Sequence, residues 1–339
     1  MSSLTEAIEK LVAREDLTSE EAFASADAIA RGVDPCQAAA FLVLLRSKGE
    51  TADEIAGMVR AMRTHMVRVD AGAGCVDIVG TGGDGHHTVN ISTAASVVAA
   101  ACGAKVAKHG NRSVSSKCGS ADVLEKLGVR LDLAPAAVER CVREAGIAFM
   151  FAPAFHPAMK NIVPVRKALG VRTVFNVLGP LLNPASCPRL LIGVYTPSLV
   201  ELMAHALHAI GVERAMVLHC CGLDELAPIG VASVATVGPD GVSVGSLDPV
   251  AELGMKRCTI ADLAGGDAAA NADALVRVLG GQLGGAVADT VALNAGAGLF
   301  VAGVVPTIKE GCERARASMA EGAPLKVLRE WARCSQAEG

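Results

Sequence analysis

Aromatic residues are scarce in this chain. Phe, Trp and Tyr make up 3% of its 339 residues, with one Trp and one Tyr, while hydrophobic residues reach 51%. The apolar content is mostly alanine and valine, small side chains suited to the close packing of an α/β enzyme. Long apolar runs are missing too. The longest, Ala94 to Ala101, is about half of what a bilayer-spanning helix needs, so no membrane span is expected. The first residues, MSSLTEAIEKLVARE, read as an acid-bearing amphipathic helix and not as a signal peptide. There is no basic surplus: the formal charge of −4 argues against a nucleic-acid partner. The eleven cysteines show no CxxC or CxxH spacing, which removes zinc and leaves free thiols in a reducing cytoplasm as the expectation. No internal repeat of about 20–50 residues is present, which excludes solenoids and propellers.

What is present falls into two grammars. The first seventy or so residues are helical. Leu4, Ile8, Leu11 and Val12 share a face, Thr18 with Glu21 opens a second helix ending at Gly32, Asp34-Pro35 opens a third ending at Gly49, and Thr51 with Glu54 opens a fourth. From Gly72 onward the pattern alternates. Strands are expected at Cys75 to Val79 (apolar but for one Asp), Lys105 to Ala107, Ile147 to Phe151, Leu190 to Tyr195, Ala215 to His219 and Val231 to Val237, with helices between them. That is an α/β fold with a largely parallel sheet flanked by helices. Gly238 to Leu247 reads as a hairpin or edge excursion, and the segment His156 to Pro184, broken by prolines, leaves the alternation.

Two polar stretches follow the first two strands. Gly80-Thr81-Gly82-Gly83-Asp84-Gly85 lies between a strand and a helix, as a phosphate cradle does, yet it contains neither a GxxxxGK[ST] motif nor a correctly spaced dinucleotide fingerprint. Asp84 is expected to meet metal, water or a ribose hydroxyl. Asn90-Ile91-Ser92-Thr93 serves equally as a helix start and as an anion site. Lys108-His109-Gly110-Asn111-Arg112, placed after the second strand, and Ser113, Ser115 and Ser116 suit diphosphate oxygens, with Asn111 free for a second substrate. Asp224-Glu225 is either a solvated pair or a Mg²⁺ site bridging to a diphosphate. Arg166 is a candidate for a bidentate carboxylate contact, but taken alone it reads as a surface ion pair.

Six blocks in this order, GTGGDG at Gly80 to Gly85, NIST at Asn90 to Thr93, KHGNRSVSS at Lys108 to Ser116, GSADVLEKLG at Gly119 to Gly128, FAPAFHPAMKNIVPVRKALGVRTVFNVLGPLLNP at Phe151 to Pro184 and GLDE at Gly222 to Glu225, resemble the anthranilate phosphoribosyltransferase family over nearly the whole chain. The resemblance implies a small helical domain of residues 1–70, with about 157–184 inserted into it, and a large α/β domain of residues 72–156 and 185–339. It implies transfer of the phosphoribosyl group of 5-phosphoribosyl-1-diphosphate (PRPP) to anthranilate, with release of pyrophosphate, by a homodimer joined through its helical domains.

The same resemblance places PRPP against Gly80, Gly83, Asp84, Thr88, Asn90, Ile91, Ser92, Thr93, Lys108, His109, Gly110, Asn111, Arg112, Ser113, Val114, Ser115, Ser116 and Ser120. It places anthranilate near Gly80, His109, Asn111 and Arg166, and Mg²⁺ at Ser92, Asp224 and Glu225. Val89 stands where Phe is common, and Cys220-Cys221 replace smaller residues; neither change removes a ligand atom. No general base is assigned, because an aromatic amine is already neutral at pH 7. Two alternatives stay open at this point: a pyrimidine nucleoside phosphorylase of the same architecture, whose phosphate loop would carry a lysine absent from Gly80 to Gly85, and a non-catalytic relative that binds nucleic acid.

Overall fold

The structure, a computed structural model, describes residues 3–113 and 117–337. Four helices open the chain: α1 (Leu4–Val12), α2 (Ser19–Arg31), α3 (Pro35–Lys48) and α4 (Ala52–Thr64). Their starts are chemically marked. Ser3, Thr18 and Thr51 each accept from the third helical N–H while Glu6, Glu21 and Glu54 reach back to the cap. Asp34 caps α3 just ahead of Pro35. Each such cap contributes about 1 kcal/mol.

The α/β part follows as β1 (Val76–Gly80), α5 (Ile91–Ala101), β2 (Val106–Gly110), α6 (Ser120–Lys126), α7 (Pro135–Ala145) and β3 (Ile147–Phe151). Three short helices interrupt it: α8 (Ala152–Phe155), α9 (Met159–Leu169) and α10 (Phe175–Leu178). It resumes with β4 (Arg189–Gly193), α11 (Ser198–Ala209), β5 (Arg214–Cys220), β6 (Ala232–Gly238), β7 (Gly241–Leu247), α12 (Ala268–Leu279), α13 (Ala286–Val301), α14 (Ile308–Ala320) and α15 (Ala323–Gln336).

The interruption explains why His156 to Pro184 breaks the alternation. Helix α9 packs against α2 and α3, and Asn161 donates to the Ala30 carbonyl at 2.8 Å. The mid-chain segment thus completes the helical layer before the chain returns to the sheet.

The seven strands run in the order β3-β2-β1-β4-β5-β6-β7. β1 to β5 are parallel; β6 and β7 are antiparallel and form the hairpin expected at Gly238 to Leu247. The chain winds outward from β1 to β3, then crosses back to β4 on the other side of β1. The connections therefore diverge at the carboxyl ends of β1 and β4, which is where an open α/β sheet leaves room for a ligand. Helices α5 and α13, almost wholly apolar, pack against each other beneath this point. Trp331 of α15 is fully buried, and α15 packs against α5 and α7. None of the described helices is long and apolar enough to cross a membrane.

Candidate active site

Loops from both halves of the sheet meet at the switch point. Gly82 donates its backbone N–H to Asp224 Oδ2 at 2.7 Å, and Ser92 donates its N–H to Glu225 Oε1 at 3.0 Å. The acidic pair after β5 is therefore fastened to the glycine loop after β1 and to the first turn of α5. Close approach makes this possible. A Cβ on Gly80 would lie 2.4 Å from Asp224 Oδ2, and one on Gly193 would lie 1.5 Å from the Asp224 carbonyl oxygen.

The acidic pair is electrostatically strained. Burial pushes Asp224 up to about 7, helped by the neighbouring Asp84 carboxylate. Burial and Asp224 push Glu225 up to about 8, with the Lys108 cation pulling the other way. Such a pair gains from a divalent cation. Among the described residues no group of three or more His, Cys, Asp or Glu could hold a metal. Two adjacent buried carboxylates are the kind of oxygen donors that Mg²⁺ takes, one or two at a time, with the rest of its shell left to other oxygens.

Lys108 lies inside a strand and not in the loop after it, a correction to the sequence expectation. Strand β2 continues to Gly110 because β3 offers it a paired partner as far as Phe151. Lys108 is buried, with its ammonium donating to the Ile78 carbonyl at 2.6 Å and lying 3.4 Å from Ser92 Oγ. Burial lowers its pKa, against the pull of Asp77, Glu225 and Asp224. Asp77 is itself buried and pushed up to about 6 by that burial. Its carboxylate accepts from Asn183 Nδ2 at 2.7 Å, while Asn183 also reaches the Ala107 carbonyl.

Side chains alternate along a strand, so His109 points the other way from Lys108. Its Nε2 lies 3.2 Å from His156 Nε2. Burial, then repulsion from the partner ring, pushes His109 down to about 3, and burial pushes His156 down to about 4. Both imidazoles are neutral at pH 7. Asn111 is exposed just beyond.

The remaining expected residues are distributed as follows. Asn90 sits ahead of α5, its amide engaged with Cys118 and Asn271 instead of capping the helix. Ile91 is buried, and Thr93 is buried with its hydroxyl unpartnered. Thr88 bridges to Ala264. Arg112 pairs with Asp122 and Glu125 and lies over the Phe151 ring, so its guanidinium is already occupied. Ser113 donates its N–H to Asp122, and Ser120 Oγ reaches the Asn111 carbonyl. Val114, Ser115 and Ser116 lie outside the described residues. Gly83 and Asp84 occupy the middle of the first loop, with Asp84 accepting from the His86 N–H.

Arg166 corrects the surface ion-pair expectation. The guanidinium is half-buried over the Phe175 ring, 5.8 Å from its centroid. Burial lowers its pKa, and among the described residues no carboxylate lies within ion-pair distance of it. A half-buried guanidinium without a counter-ion suits an anionic ligand.

The comparisons with known proteins decide the family. Residues 72–325 match the α/β domain of a glycosyl transferase family, and residues 5–66 match its helical bundle domain. The chain is 49% identical over 329 residues to the anthranilate phosphoribosyltransferase of Mesorhizobium japonicum, covering 97% of each chain. It belongs to the anthranilate phosphoribosyltransferase family.

The family member from Rubrobacter xylanophilus is 47% identical, with 98% of each chain covered. Among solved structures, the anthranilate phosphoribosyltransferase of Thermus thermophilus superposes with a TM-score of 0.92 at 45% identity, covering 98% of this chain and 99% of that one. The Saccharomyces cerevisiae member in complex with PRPP and Mg superposes with a TM-score of 0.89 at 28% identity, covering 98% and 97%. These relatives favour neither the nucleoside phosphorylase nor the nucleic-acid alternative.

Several polar residues beside the candidate site escape sequence reasoning. Asp77 left a trace, as the one acid in an apolar strand. Asn183 and His156 left none, because their partners are more than forty residues distant.

Proposed function

We propose that this chain transfers the 5-phosphoribosyl group of PRPP to the amine of anthranilate, giving N-(5-phosphoribosyl)anthranilate and pyrophosphate. The observation that carries the site assignment is the double tether of Asp224 and Glu225 to Gly82 and Ser92, which gathers two acids, a glycine loop and a helix N-terminus at the sheet's switch point.

In this reading the PRPP diphosphate lies along Gly80 to Thr93 and the Lys108 to Ser120 region, and anthranilate lies near Gly80, His109, Asn111 and Arg166. Asp224, Glu225 and Ser92 would hold Mg²⁺, which neutralises negative charge on the leaving diphosphate. Lys108 adds a buried cation on the same side. The C1–O bond to diphosphate breaks with oxocarbenium character, and the amine attacks from the opposite face. Anthranilate's amine is neutral at pH 7, so its lone pair is available without prior deprotonation. No side chain is required as general base: the anilinium formed on attack is strongly acidic and loses its proton to water or to the departing pyrophosphate, so the work is positioning and charge stabilisation. Arg166 grips the anthranilate carboxylate through a bidentate contact.

Residues 1–70 with about 157–184 form the small domain in this reading, and residues 72–156 with 185–339 the large one. The chain pairs through its helical domain as a homodimer and works in the cytoplasm; light scattering reports the mass. The deciding assay follows loss of anthranilate fluorescence with PRPP and Mg²⁺, omitting each in turn. Consumption only when all three are present supports the assignment, and phosphorolysis of uridine or thymidine in its place rejects it.

A further inference from the structure

We propose that Arg172 is a positioning residue that fastens the glycine loop after β1 to the mid-chain segment bearing Arg166, so that the two substrate-holding halves of the site are set against one another. This rests on the substrate assignment made above. Arg172 follows α9 across a left-handed turn at Gly170, six residues beyond Arg166. It makes three contacts, in three different parts of the fold. Its Nη2 donates to the Gly83 carbonyl. Its guanidinium carbon lies 4.1 Å from the centroid of the Tyr195 ring, just after β4. Its own carbonyl accepts from the Arg46 guanidinium on α3.

The platform is tied to the same loop. Tyr195 donates its N–H to Thr81 Oγ1 at 3.2 Å, and the Thr81 N–H reaches the Gly193 carbonyl at 2.9 Å. One planar cation therefore stacks on the chain's single tyrosine while its edge holds the carbonyl next to Asp84. A guanidinium combines a flat face with in-plane donors, which a lysine ammonium does not. Among the described residues no carboxylate lies within ion-pair distance of Arg172, so its charge is uncompensated beside a loop assigned to a diphosphate.

Loss of this contact frees Gly83 and Asp84 from the segment that positions Arg166. The affinity for PRPP and turnover should then fall together, since both depend on the loop and on its registration with the second substrate. The test uses Arg172→Ala, Arg172→Lys, Tyr195→Ala and the Arg172→Ala/Tyr195→Ala double variant in the full chain. A lost hydrogen bond to a charged donor predicts a rise of about 10-fold in the PRPP KM for Arg172→Ala, with a fall in kcat. Lysine should recover part of the KM by donating to Gly83 without stacking. The double variant should lose less than the product of the two single effects, because both remove one contact. For Arg172→Ala and Arg172→Lys, at an exposed position, the melting temperature should stay within about 2 °C.

Amide exchange in a peptide spanning residues 80–86 gives a readout independent of turnover: it should quicken in Arg172→Ala. Unchanged exchange with wild-type KM values overturns the latch, as does an activity loss that simply tracks a lower melting temperature. If the wild-type chain itself consumes no anthranilate, the substrate assignment fails, and exchange in that peptide still decides the contact.

Discussion

Gly82 and Asp224 are separated by 142 residues and joined by a 2.7 Å hydrogen bond from backbone N–H to carboxylate. The bond sets the acidic turn and the glycine loop as one unit. A change in either is transmitted to the other without passing through a substrate.

Arg166→Ala should raise the KM for anthranilate by about 10- to 100-fold, the loss expected for a charge-assisted contact. The KM for PRPP should change far less. Steady-state kinetics with each substrate varied in turn checks this, and equal shifts on both would remove Arg166 from the anthranilate carboxylate.

Asp224→Asn keeps the shape and removes a charge. Its carboxyl is held up at about 7, above the ordinary carboxylate value, so ionisation costs the folded state stability at pH 8. The variant's melting temperature without metal should equal or exceed wild type at that pH. Magnesium should be needed at higher concentration and kcat should drop. An unaltered magnesium titration would take Asp224 out of the metal site.

The paired imidazoles predict an acid dependence. His109 and His156 are held down at about 3 and about 4, while an unfolded histidine titrates near 6.5. Between those values the unfolded chain binds protons that the native one refuses. Their contribution is therefore fully present above pH 6.5 and is lost as pH falls toward 4. At pH 5 each imidazole costs about 2 kcal/mol relative to neutral pH. Urea midpoints for wild type and His156→Gln, measured at pH 7 and pH 5, isolate this from the carboxylates. The variant should lose less on acidification; an identical loss would refute the coupling.

Gly193→Ala should destabilise by about 3 kcal/mol or more, since its methyl would lie 1.5 Å from the Asp224 carbonyl oxygen and backbone must move. Gly80→Ala clashes with the carboxylate, at 2.4 Å from Oδ2, while the Asp224 carbonyl oxygen lies at an ordinary contact distance of 3.4 Å. Its cost should fall on activity and magnesium affinity more than on the urea midpoint. The reverse ranking would show that the turn is not as tightly packed as drawn.

Much of the fold could be read in advance because its signals are local. Thr18 with Glu21 and Thr51 with Glu54 cap helices within one turn, and the glycine loop of Gly80 to Gly85 follows an apolar strand. The acidic pair stands out in the sequence, but its burial does not, because that depends on the glycine loop and α5 closing over it. Lys108 was misplaced because the length of β2 depends on pairing with β3, forty residues later, a partner no local window contains. The surroundings of Arg166 were hidden for the same reason: its burial depends on how the mid-chain segment folds, and charge alone suggested a solvated pair. The engagement of Arg112 by Asp122 and Glu125 arises from α6 turning back over the loop, which spacing does not announce.

Trp331 sits fully enclosed in α15, and the helical layer of α1 to α4 contains no second indole. Intrinsic emission from this chain is thus a blue-shifted signal reporting one region alone. A denaturation curve followed by that light is blind to loosening of the helical layer, which far-ultraviolet dichroism would still register. Superimposable curves would mark a single cooperative unit, and an earlier dichroic transition would reveal a half that melts first.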